Sequence, residues 1–229
     1  MKQTNTQPDI PVIYEDEHLL IINKPVNILS QKDHTGDPDV LTLCKRYLSR
    51  TQNNPYLGLV HRLDRPVGGL MLLAKNRDAA DALSRQLRDR TLQKTYWAVV
   101  SGSPPPNGVL THHLHKDRER NVVEVVDGNQ QKGKQAILSF AKLEEKNDLN
   151  LLSIHLQTGR PHQIRVQLAH EGYPIWGDYK YGRNQPDGRD IALRSVEVAF
   201  SHPKTKQQIH FELAPENTEP WARFSIANS

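Results

Sequence analysis

Between residues 92 and 157 the sequence places one β-forming run after another with no helical stretch between them, and this limits the possible folds more than any other feature. Runs at 92–100, 109–114, 121–126, 136–143 and 149–157 are separated by charged or Gly-containing turns, and Ser101-Gly102-Ser103-Pro104-Pro105-Pro106 breaks the first from the second. Strands joined this closely pair antiparallel, because a parallel pair needs a crossover of about a dozen residues or more. Further strands are predicted at both ends. Val12-Ile13-Tyr14 and Leu19-Leu20-Ile21-Ile22, split by Glu15-Asp16-Glu17 and stopped by Pro25, predict a hairpin. Gly58 to His61 and Leu70 to Ala74 read as strands, as do 192–200 and 207–213, the last alternating Ile209, Phe211 and Leu213.

Three helices fit the pattern. Val40, Leu41, Leu43, Cys44, Tyr47 and Leu48 recur at helical spacing between Asp39 and Leu48. Asn76 suits the N-cap of a second, with Ala79, Ala80, Leu83 and Leu87 on one face and Arg85, Arg88 and Arg90 late. Pro161 suits the first turn of a third, running to about Glu171 and closed by Gly172. Many strands in succession and few helices imply an α+β fold, a large, mostly antiparallel sheet with flanking helices, rather than alternating βαβ units.

A length of 229 residues suits one large domain or two fused lobes. Residues 1–10 are polar and read as a disordered arm, with the folded domain over 11–229. No apolar run is long enough to cross a bilayer, and the N-terminus lacks a signal-peptide core, so no membrane association is expected. Lys and Arg exceed Asp and Glu by 30 to 26, and a pI near 9.1 points mildly to a polyanionic partner such as nucleic acid. Cys44 is the only cysteine, which rules out an intrachain disulfide or a thiolate zinc site and fits a cytoplasmic protein. At an apolar helix position it reads as a small core residue.

Three segments concentrate chemistry. In His61-Arg62-Leu63-Asp64-Arg65-Pro66-Val67-Gly68-Gly69 a carboxylate flanked by Arg62 and Arg65 would be held ionised, as a nucleophile or base; it could equally cap a turn. In Lys94-Thr95-Tyr96-Trp97-Ala98, Lys94, Tyr96 and Ala98 share a strand face, a stacking platform for a base or simply a buried sheet aromatic, with Trp97 on the other face as core. In Gln157 to Arg165, Arg160, His162 and Gln163 at a helix start make a phosphate-binding corner, or a capped helix with a solvated basic face. Arg165 lies in the same turns, within reach of a carboxylate brought in from elsewhere. His112, His113 and His115 look like a ligand cluster. Adjacent strand histidines face opposite ways, however, and no carboxylate or thiolate set completes them, so no metal is expected.

HRLD followed by Gly68-Gly69-Leu70 and Ala74-Lys75, then KTYWAVV, then LQTGRPHQIRVQLAH, in this order, resemble the successive motifs of the RluA family of RNA pseudouridine synthases. The resemblance runs from about Val12 to Leu213 and implies the pseudouridine synthase fold. It implies that Asp64 is the catalytic carboxylate, that Tyr96 stacks on the target base and helps move the C5 proton, and that Arg165 pairs with the aspartate. Arg62 matches a position that reshapes the RNA around the flipped nucleotide. With it, Arg65, Lys94, Arg160, His162 and Gln163 form the expected RNA-contact set.

The implied activity is cofactor-free isomerisation of uridines in rRNA or tRNA by a monomer. Many members read Thr-Ser-Gly where Val67-Gly68-Gly69 stands here, and because this sequence begins almost at the catalytic motifs, the S4-like domain that some relatives carry is not expected. Two alternatives lie in other classes. A catalytically inactive RNA-binding protein on the same fold would not need Asp64, Tyr96 and Arg165 together. A glycoside hydrolase would need a second carboxylate, and only one stands out in these segments.

Overall fold

The computed structural model describes residues 10–128, 133–182 and 190–225, so the predicted N-terminal arm lies, except for residue 10, outside the described residues. Two compact units emerge, residues 1–92 with 199–210 and residues 93–198 with 211–229.

The first unit is built on β1 (Val12–Glu15), β2 (Leu19–Lys24), β3 (Gly58–Leu59) and β4 (Gly68–Ala74), with α1 (Val40–Leu48) and α2 (Arg77–Arg88). β2 lies between β1 and β4, antiparallel to both, and β3 pairs with β4. Leu19 to Ile22 and every residue of β4 are buried, which is why these strands are runs of Leu, Ile and Met with no polar alternation. The ladder sets Leu19 opposite Ala74 and Lys24 opposite Gly69. Asn76 caps α2 as predicted, accepting from Ala79 N at 2.9 Å, and Asp39 caps α1, accepting from Thr42 N at 3.1 Å. Cys44 is buried, and desolvation pushes its thiol up to about 12, fitting a core residue.

The second unit contains β5 (Gln93–Ser101), β6 (Asn107–Asp117), β7 (Val122–Val126), β8 (Lys134–Lys146), β9 (Leu149–Leu156) and α3 (Gln163–His170). The order is β5-β9-β8-β6-β7, antiparallel throughout. β10 (Leu193–Ser201) neighbours β5, and β11 (Gln208–Glu212) pairs with β10. The antiparallel ladders and three helices make the chain α+β, as its run of strands predicts. Leu114, Val123, Ala136 and Val166 form a core cluster under α3, with Val125 and Tyr181 packed against it.

Three local expectations are corrected. The strand predicted over Gly58 to His61 keeps only its first two residues, because His61 turns its ring onto β4, where Nε2 accepts from Leu72 N at 3.1 Å. Pro161 does not open the third helix, because His162 takes a left-handed conformation (φ 52°) that interrupts the helical path and delays the start to Gln163. Trp97 is half-buried rather than core, since its face of β5 is only partly covered there, although Thr95 on the same face is buried.

Candidate active site

The loop carrying Asp64 is held to the first unit from several sides. Ser30 Oγ donates to Leu63 O at 2.7 Å and accepts from Leu63 N at 3.1 Å, clamping the residue before the aspartate. Val67 N returns to Asp64 O at 3.0 Å, closing a turn. Beneath that turn sits Lys24, fully buried at the end of β2. Its Nζ donates to Pro25 O (3.0 Å), Arg65 O (3.1 Å) and Val67 O (2.9 Å). An ammonium has three protons to give, and three backbone carbonyls take them. Burial pulls its pKa down to about 7. The negative charge of Asp64 opposes that shift, and the positive charge of Arg65 adds to it.

Lys24 was not singled out from sequence, although a signal exists: it is the only charge in Leu19-Leu20-Ile21-Ile22-Asn23-Lys24, and a charge closing a buried strand must find partners. Asp64 is half-buried on the turn, with Arg62 and Arg65 exposed to either side. Arg65 Nη1 meets Asp37 Oδ2 at 2.7 Å in a surface pair. Val67-Gly68-Gly69, the departure from Thr-Ser-Gly, forms the exit of this turn into β4. Gly69 takes a φ of 110°, which favours glycine, and Val67 supplies a carbonyl to Lys24.

In the second unit, α3 has little solvated surface: Gln163 to Leu168 are all buried, polar residues included. The reading of a capped helix with a solvated basic face therefore fails. Gln163 is turned inward, away from the phosphate-contact role expected of it. Its Oε1 accepts from Arg160 N (2.9 Å) and Thr158 Oγ1 (2.8 Å), and its Nε2 donates to Ile137 O (3.1 Å). It organises the approach to the helix. Arg160 Nε donates to Gln135 O at 2.9 Å.

Arg165 is 5% exposed and meets the carboxylate of Asp178, 1% exposed, through two parallel bonds: Nε to Oδ2 at 2.8 Å and Nη2 to Oδ1 at 2.7 Å. Its guanidinium also lies 5.1 Å from the ring centroid of Tyr181. The Tyr181 hydroxyl accepts from Val123 N at 3.0 Å and lies 2.5 Å from His162 Nδ1, so His162 is held by the same cluster. Asp178 and Tyr181 lie between the third helix and the next strand, in a stretch to which the sequence assigned no role.

On β5, Tyr96 is 4% exposed and pairs with Ile154 in the ladder, while Thr95 Oγ1 donates to Glu197 Oε2 at 2.6 Å. Lys94 is half-buried, and desolvation lowers its pKa to about 8, which leaves it mostly charged at neutral pH.

The histidines of β6 gain a neighbourhood the sequence analysis missed. The end of α3 brings His170 and Glu171 to His112, their possible ligand atoms all within 4.8 Å of one another. The hydrogen bonding does not suit a metal. Gln167 Nε2 faces Leu110 O and Ala136 O, both at 3.2 Å, which identifies it as the amide nitrogen, and it also faces His112 Nδ1 at 3.0 Å. Two amide protons are shared among these three neighbours, and an N–H2 group beside Nδ1 disfavours a proton there, which favours the ring proton on Nε2, directed at Glu171 Oε1 2.9 Å away. A metal on Nε2 would require that proton to move to Nδ1, against an amide donor. The arrangement is a hydrogen-bonded His–Glu pair.

Residues 18–170, spanning Lys24, Asp64, Tyr96 and Arg165, match the model of the RNA pseudouridylate synthase family. The chain belongs to that family. It is 35% identical over 210 residues to ribosomal large subunit pseudouridine synthase C of Buchnera aphidicola, covering 88% of this chain and 66% of that protein. It is 33% identical over 221 residues to ribosomal large subunit pseudouridine synthase D of Nitrosomonas europaea, covering 89% and 61%. The chain thus spans somewhat less than two thirds of the length of these relatives. Human RNA pseudouridylate synthase domain containing 4 superposes with a TM-score of 0.75 at 20% identity, covering 90% of this chain and 89% of that one, a likeness of fold. Among the described residues no helix is long and apolar enough to cross a membrane.

Proposed function

We propose that this chain isomerises uridines in RNA to pseudouridine, with Asp64 as the catalytic carboxylate. The observation that carries this reading is Asp64 on a turn whose carbonyls are gathered by the buried Lys24 ammonium, in a chain of the pseudouridylate synthase family. A carboxylate on a loop fixed this way is pre-organised for one geometry of attack.

In the proposed reaction the N1–C1′ bond of uridine breaks, the uracil turns, and C5 bonds to C1′. The C5 proton leaves and N1 gains one, so the formula is unchanged and no oxidant or phosphoryl donor takes part. The nucleotide is first extruded from its stack, at a cost of roughly a few kcal/mol. Asp64 then attacks C1′ or removes the 2′ proton, in its ionised form by either route. Tyr96 and Arg165 take the roles the family resemblance implies, on the base and toward the aspartate's charge. Asp178 acts through Arg165 as a positioning residue, and the exposed Arg62 props the space the nucleotide leaves. Ribosomal or transfer RNA is the substrate class; the names of both relatives favour the former. We take the working form to be a cytoplasmic monomer.

The test is incubation of purified protein with RNA from cells lacking it, followed by nucleoside chromatography and carbodiimide mapping. Wild type forms pseudouridine without releasing uracil, and Asp64→Asn forms none while keeping its circular dichroism and RNA affinity. Turnover by Asp64→Asn, or none by wild type in any RNA, refutes the reading.

A further inference from the structure

Tyr179 is 66% exposed, the most open of the large apolar side chains in the described residues, yet its neighbours on both sides are held by hydrogen bonds. On one side Asp178 is locked to Arg165, and its Oδ1 also accepts from Lys180 N (3.1 Å) and Tyr181 N (3.3 Å). Tyr179 N itself donates to Gly177 O at 3.1 Å. On the other side Tyr181 is anchored through its hydroxyl to β7 and His162. The turn therefore presents the Tyr179 ring outward from a rigid base, one residue along the chain from the carboxylate that positions Arg165.

Basic side chains lie on this turn and on the one tied to it, interleaved with the acids Glu119 and Glu124. Lys180 Nζ donates to Asn121 O at 2.7 Å, tying this turn to the one between β6 and β7. That second turn is ordered by Asp117, whose Oδ1 accepts from Glu119 N (2.9 Å) and Arg120 N (3.0 Å), and it displays Arg118 and Arg120 to solvent. Arg120 meets Glu124 only at 3.6 Å, with both side chains more than half exposed, so its charge stays solvated. An open aromatic ring on a pre-ordered turn, with arginines on the turn tied to it, is the construction that binds single-stranded nucleic acid: the ring stacks on a base and the cations take the phosphates. Because the backbone is already fixed, little ordering entropy opposes the contact.

The geometry points to Tyr179 as a stacking platform for an unpaired base of the RNA substrate, with Arg118 and Arg120 on the adjoining phosphates. This rests on the reading of the chain as acting on RNA. It adds a substrate contact that none of the three motif segments contains.

The experiment measures binding of a fluorescein-labelled single-stranded oligouridine and a blunt RNA duplex by anisotropy, alongside KM and kcat for pseudouridine formation in cellular RNA. Tyr179→Ala and Tyr179→Leu should weaken the single strand by about tenfold and raise KM to match, with kcat and duplex affinity unchanged. Tyr179→Phe should behave as wild type, because the ring and not the hydroxyl stacks. Arg118→Gln with Arg120→Gln should flatten the salt dependence of binding while keeping the single-strand preference. If Tyr179→Ala matches wild type in oligouridine affinity and KM while wild type forms pseudouridine, this inference falls alone. If wild type binds oligouridine through Tyr179 but modifies no RNA, the activity proposed for Asp64 falls and the platform stands.

Discussion

Replacing Asp178 by Ala removes the bidentate partner of a buried guanidinium, and the structure sets the size of the effect. The pair is made by bonds of 2.8 and 2.7 Å between side chains 5% and 1% exposed, so neither charge recovers much hydration if the other is deleted. Truncating one side of such a pair costs about 3–5 kcal/mol. The same carboxylate accepts from Lys180 N at 3.1 Å, worth about 1 kcal/mol more, and the longer contact to Tyr181 N adds little. The total, about 4–6 kcal/mol, is a large share of the 5–15 kcal/mol typical of a whole domain. All three tryptophans, Trp97, Trp176 and Trp221, belong to the second unit, so their fluorescence in a urea titration reports the unit that holds the pair. The expected result is a midpoint drop equivalent to that loss, accompanied by loss of turnover. Arg165→Met combined with Asp178→Leu removes both charges and should recover most of the stability and none of the activity. A loss below about 1 kcal/mol in Asp178→Ala, or a double variant no more stable than the single, refutes the assignment of this pair as the anchor of Arg165.

Lys24 gives a pH signature whose sign follows from its lowered pKa. Its folded pKa of about 7 lies below the usual 10.5, so between those values the unfolded chain binds more protons and stability rises with pH. Wild type should gain on Lys24→Met with a slope of about 0.7 kcal/mol per pH unit at pH 7 that rises to about 1.4 between pH 8 and 9, read by urea unfolding under far-ultraviolet circular dichroism; a flat difference would show that the ammonium is not desolvated. Gly177 has a φ of 73°, and a Cβ there would press on the backbone carbonyl of Asp190, so Gly177→Ala should cost at least about 2 kcal/mol and reduce turnover through the neighbouring Asp178. Unchanged thermal unfolding of that variant would show that the turn can relax.

Elements and motifs were legible where the signal is local. Asn76 sits just before helical periodicity and caps as its side chain dictates. The five strands from β5 to β9 follow their apolar runs, differing from the predicted limits by a few residues at most, because alternation and turn residues are written in adjacent positions. Pro161 misled because its fitness for a first helical turn is a local propensity. The left-handed His162 and the inward amide of Gln163, held by Ile137 across 26 residues, decided otherwise.

The same division holds for the site. Sequence by itself determined that Asp64, Tyr96 and Arg165 stand in the motifs of an RNA-modifying family, since motif identity lies in neighbouring residues. Only the tertiary structure decided what holds them. It placed Lys24 under the Asp64 turn by setting β2 against β4 so that Lys24 faces Gly69, and it brought Asp178 to Arg165 from 13 residues away. A buried charge must find its partner wherever the fold supplies one. The partner's position depends on strand register and helix packing, which no local pattern encodes.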